Sequence, residues 1–95
     1  MIHLNVLLTV RDEGDIDAVR EHLSTQARLS RREPGCARFE VYHSQSDRRV
    51  FLLSEWWESQ EALDVHRTAK AYNEVYKPRV LPLVDRVPHP ADLLP

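Results

Sequence analysis

At 95 residues the chain has room for one small domain, residues 1–95, and a domain this short leaves much of its surface uncovered, so self-association is expected. A formal net charge of −2, with no basic cluster beyond the pairs Arg31-Arg32 and Arg48-Arg49, argues against nucleic acid as a partner. A lone cysteine, Cys36, leaves no intrachain disulfide and fits a reducing cytoplasm; the opening strand is too short and polar-flanked for a signal peptide, and no apolar run reaches membrane-spanning length.

Ile2 to Val10 alternates as a strand, with Ile2, Leu4, Val6 and Leu8 on one face and His3, Asn5, Leu7 and Thr9 on the other. Asn5 is a polar amide in a mostly apolar strand. It is either a hydrogen-bonded strand residue or an amide pointing into a cavity. After a polar turn, Asp15 suits a helix N-cap, and Ile16, Val19, Leu23 and Ala27 recur as one helical stripe. His22 at the edge of that stripe reads as a solvated or capping group. The helix must end before Pro34, because the residue ahead of a proline disfavours helical backbone.

Ala37 to His43 alternates as a second strand. Val50 to Trp57 is apolar on both faces, as a central strand covered on each side would be. Ser59 is a good N-cap for a short helix in which Ala62, Leu63 and His66 share a face. A second helical run carries the stripe Tyr72, Val75, Tyr76, Arg79, Val80 and Leu83, interrupted by Pro78 and Pro82. Residues 85–95 hold three prolines. They predict at most a short edge strand near Asp85 to Pro88, then an extended tail whose Leu93 and Leu94 pack on a partner subunit. The order is strand, helix, strand, strand, split helix, weak strand. It predicts an α+β, ferredoxin-like split βαβ fold with helices on one face of an antiparallel four-stranded sheet. Apolar residues on both strand faces then call for a second copy on the uncovered face.

The five histidines have no tight ligand spacing and Cys36 has no companion, so no metal site is expected. Cys36 itself reads as a small core residue. Glu55 falls on the same face as Phe51, Leu53 and Trp57, an acid in apolar surroundings whose pKa burial would raise. Together with His66 it suits proton transfer to or from a phenolic or enolic substrate. The alternative is a Glu–Arg or Glu–His pair that only ties strand to helix. Trp57 packs under the helices and Trp56 faces the opposite way; Tyr72 and Tyr76 read as core or interface aromatics more readily than as catalysts.

The run Glu33-Pro34-Gly35-Cys36-Ala37-Arg38-Phe39-Glu40-Val41-Tyr42 and the run Glu55 to His66, with Trp57, Glu58, Ser59, Glu61, Ala62 and Leu63 in register, resemble the two signature segments of the antibiotic biosynthesis monooxygenase family. The resemblance covers Met1 to about Val84. It implies a dimeric α+β barrel with a substrate cavity between sheet and helices. It also implies oxygenation of a small aromatic quinol or anthrone by dioxygen, with no metal, flavin or haem. Asn5, Trp57, His66 and Tyr72 match cavity positions of the family, and Glu55 a further family position. The candidate set is therefore His66, Glu55 and Asn5 for chemistry, and Trp57, Tyr72, Phe39 and Tyr76 for substrate binding. Ala71 stands where many relatives carry a second histidine. His66 and Tyr76 stand where the haem-degrading branch has Trp and His, which disfavours haem degradation. An isomerase branch keeps the matching Glu and His, so proton transfer without oxygen is the alternative reaction, and a non-catalytic ligand-binding or stress protein is a third expectation.

Overall fold

A computed structural model describes residues 1–95. Strand β1 (Ile2–Val10) leads through a 3₁₀ turn (Glu13–Asp15) into helix α1 (Ile16–Ser30). Strands β2 (Cys36–His43) and β3 (Val50–Trp57) follow, then helix α2 (Gln60–His66). A π-helix (Ala71–Val80) and a second 3₁₀ turn (Leu81–Leu83) lead into strand β4 (Val84–Ala91). The sheet order is β2-β3-β1-β4, with every neighbouring pair antiparallel. This is the ferredoxin-like arrangement that the order of elements predicts.

Registers explain which side chains meet. Leu4 lies opposite Glu55, Val6 opposite Leu53 and Leu8 opposite Phe51, so these residues share the face covered by α1 and the π-helix. Leu8, Val10, Val19, Leu23, Trp57 and Val80 have no measurable exposure there. Each fully buried side chain of this size stabilises the fold by roughly 1.5–3 kcal/mol. A β-bulge between Cys36 and Arg38 re-registers β2, so that Phe39 faces Glu55 from the neighbouring strand.

Three local expectations are corrected. Asp15 makes no side-chain cap. Asp12 does so instead, accepting from the Gly14 N–H at 2.9 Å, because the chain inserts a 3₁₀ turn before α1. The last strand runs the full length Val84–Ala91 and pairs with β1 from Val10↔Val84 to His3↔Ala91, so it is neither short nor a loose tail. Pro88 and Pro90 are tolerated because β4 is an edge strand. They are two residues apart, so their missing N–H groups fall on the same, outer side. Third, Arg79 is exposed, off the stripe expected for the last helix. The buried positions are Ala71, Val75, Tyr76 and Val80, the wider period of a π-helix, and the Leu81 N–H donates to the Tyr76 carbonyl five residues back. Residues 92–95 carry no regular structure, and Leu93 and Leu94 are exposed. No helix is long and apolar enough to cross a membrane.

Candidate functional site

The site begins with a turn. Cys36 N–H donates to the Glu33 carbonyl at 3.2 Å, with Pro34 and Gly35 between them. Gly35 has φ +81°, so this is the turn type that takes proline second and a left-handed residue third. The turn docks on the start of α2: Glu58 N–H donates to the Gly35 carbonyl at 2.8 Å, and a Cβ on Gly35 would lie 2.4 Å from the Ala62 Cβ. At its own start α2 is capped by Ser59, which accepts from the Ala62 N–H at 3.1 Å. Two turns later the helix ends on His66. Close docking of turn and helix brings Glu33 Oε1 to 2.6 Å from His66 Nδ1.

His66 is 3% exposed and sits in an aromatic nest. Its ring centroid lies 4.4 Å from Trp57, 5.7 Å from Tyr72 and 5.9 Å from Phe39. Burial holds its pKa below the ordinary 6.5, although the contact with Glu33 pulls the other way. The imidazole is therefore neutral at pH 7. With Nδ1–H donated to the Glu33 carboxylate, Nε2 keeps its lone pair.

Glu55 is the second acid. It is 5% exposed, and the Trp57 Nε1–H donates to its Oε1 at 3.1 Å. Burial pushes its pKa from 4.5 up to about 7, against the lowering effect of the Trp57 bond and of Arg86 and Arg67. Tyr76 is also buried, which pushes its hydroxyl up to about 12 and keeps it protonated, and Arg86 Nε donates to it at 3.0 Å. Gln26 from α1, Glu55, His66, Arg67, Tyr76 and Arg86 contribute to the wall of one small, partly open cavity of about 10 Å³. That is space for about one water molecule. A base with a free lone pair, a protonatable acid, a phenol and two guanidinium groups thus line one small cavity.

The family model for antibiotic biosynthesis monooxygenase matches residues 1–77. The chain belongs to this family. Among curated proteins, uncharacterized protein YjcS of Bacillus subtilis is 26% identical over 77 residues, which is 81% of this chain and 73% of YjcS. A crystal structure described as an antibiotic biosynthesis monooxygenase superposes with a TM-score of 0.90 at 22% identity, over the whole of both chains. A conserved protein of unknown function from Bacteroides thetaiotaomicron, described as a possible oxidoreductase, gives 0.88 at 24% identity and covers 97% of this chain and 96% of its own. At these identities the two structures establish that the fold is shared.

Within this family member, six of the seven candidate residues lie on the helix-covered side of the sheet. His66, Glu55, Trp57, Phe39, Tyr72 and Tyr76 form one cluster. Asn5 does not join it. Alternation along β1 puts it on the open face, exposed, opposite Ser54 and His89, so the sheet itself separates it from His66. Within one chain, two residues that the resemblance puts in one cavity therefore lie on opposite faces of the sheet. His66 also pairs with Glu33 rather than with Glu55. Glu33, Gln26 and Arg86 were not among the residues that sequence reasoning selected. Glu33 carries a signal, since it opens the first signature segment. Gln26 carries one too, as a polar residue three positions after Leu23 and next to Ala27 on the apolar stripe. Arg86 lies in the proline-rich end and carries none.

Proposed function

We propose that this protein is a cofactor-independent monooxygenase of a small electron-rich aromatic, a quinol or anthrone, with dioxygen as co-substrate. The observation that supports this most is the buried Glu33–His66 contact, which leaves His66 Nε2 a bare base in aromatic surroundings. For an anthrone the reaction balances without a redox partner. His66 takes one proton from the ring methylene, and the carbanion transfers one electron to dioxygen. Substrate radical and superoxide combine as a carbon-bound peroxide, which regains the proton from His66. Loss of water then leaves a ketone, so methylene plus dioxygen gives carbonyl plus water. Arg67, Arg86 and the Tyr76 hydroxyl would stabilise the negative charge on the substrate oxygen. A cavity of about 10 Å³ does not admit an aromatic ring. In this reading Tyr72, half-buried on the π-helix beside His66, swings out to admit substrate.

Oxygen uptake with a panel of hydroquinones and anthrones tests the proposal. Uptake above autoxidation is expected in the parent protein, falling about 10²–10⁴-fold in His66→Ala. Equal uptake in the two proteins removes the oxygenase reading. A second reading, an isomerase, is favoured by one observation: Glu55, pushed up to about 7, lies in the same wall as a neutral imidazole, so each can pass a proton to a common substrate. It requires turnover under strict anaerobiosis, which the oxygenase reading forbids.

A further inference from the structure

Gln26 is a buried polar side chain of the cavity wall whose amide oxygen is unanswered. It is 1% exposed, and its Oε1 has no partner in the fold. Three other groups of that wall each have one partner, while His66 Nε2 keeps its lone pair for the base role. Glu55 accepts from Trp57, His66 donates to Glu33, and Tyr76 accepts from Arg86. An orphaned buried amide oxygen costs about 1–3 kcal/mol, so its retention at an apolar-stripe position calls for an occupant. The space beside it has the size of one oxygen with its hydrogens, about 10 Å³, and is too small for any carbon ring. Its remaining walls mix Leu4, Leu63 and Tyr72 with the polar groups of Glu55, His66, Arg67, Tyr76 and Arg86, so a hydroxyl there meets partners that a methyl group could not use.

We propose that this cavity is a hydroxyl-recognition pocket, in which Gln26 Oε1 accepts a hydrogen bond from a hydroxyl of the aromatic substrate while the ring itself lies outside, in the space vacated by Tyr72. The inference rests on the proposed aromatic substrate and adds to it a required substituent. A substrate whose hydroxyl is capped as a methyl ether leaves the amide unanswered and collides with the wall. Gln26 is thus a positioning and specificity residue rather than a proton carrier.

Binding measured by calorimetry under anaerobic conditions, with hydroquinone and its dimethyl ether as probes, separates the possibilities without relying on turnover. The parent protein should bind hydroquinone in preference to the ether. Gln26→Met, close in volume, should lower that preference about tenfold, with an unchanged or higher melting temperature. Gln26→Leu should behave in the same way. An undiminished preference in both variants overturns the role of Gln26 and leaves the aromatic-substrate reading standing. Failure of the parent protein to bind either probe overturns both. Loss of folding in both variants also overturns the proposal, because removing an unanswered amide should not cost stability.

Discussion

Glu55 owes its behaviour to a single neighbour relation: alternation along β3 turns it under the helices, and only the Trp57 indole answers it there. The unfolded chain releases its proton near the ordinary 4.5, whereas the folded chain holds it to about 7. Between these values the folded state binds the extra proton, so stability is full below about pH 4.5 and falls as the pH rises toward 7, by at most about 3 kcal/mol. His66 acts in the opposite sense, since its lowered pKa costs stability as the pH falls below 6.5. Replacing Glu55 alone separates the two. Urea unfolding of Glu55→Gln should gain on the parent protein between about pH 5 and about pH 7.5, and a constant difference would mean that Glu55 is ionised in the fold. The burial of Glu55 was legible from alternation alone. The pairing of His66 with Glu33 was not, because that partner lies 33 positions away, and no periodicity reports a contact between a turn and a distant helix end. The same limit hid the side on which Asn5 lies: a strand with apolar residues on both faces does not say which face the helices cover.

Among the elements, the turn Glu33 to Cys36 controls most. Gly35 meets two demands at once, a left-handed backbone and direct contact with α2. Gly35→Ala should therefore lose about 2–4 kcal/mol of stability, from backbone strain and from pushing α2 outward. It should also lengthen the Glu33–His66 contact, so the imidazole should titrate differently in an NMR pH series. An unaltered His66 titration together with parent stability would show that turn and helix are not rigidly docked. Helix α2 and its Ser59 cap were readable because capping is a local, three-residue event. The π-helix was not. A shift of buried positions from a period of 3.6 to a wider one is masked by the exposed Arg79 and by Pro78, which simply look like an interrupted α-helix. The last strand was underread for a related reason: prolines weaken a strand in general, yet at an edge with the correct parity they cost no ladder bond.

On the scale of the molecule, the sheet has one face under helices and one face bare. The bare face exposes Tyr42, Leu52 and Val87 at 48%, 43% and 46%, around an apolar groove of about 270 Å³ that also holds Asn5, Ser54 and His89. Apolar residues on both strand faces made this visible in the sequence. We infer that a second copy of the chain covers this face. Sedimentation should then give a dimer for the parent protein and a monomer for Leu52→Asp, with His66 still buried in the monomer. A monomeric parent at micromolar concentration would refute the arrangement. Pro88 and Pro90 bear on how such pairing stops at two. On the outer flank of β4 they remove two of the N–H groups that an incoming strand would accept from, which weakens addition of a neighbour at that edge of the sheet. That flank is thus a poor template for ribbon-like growth, whereas the bare sheet face offers a finite, face-to-face contact.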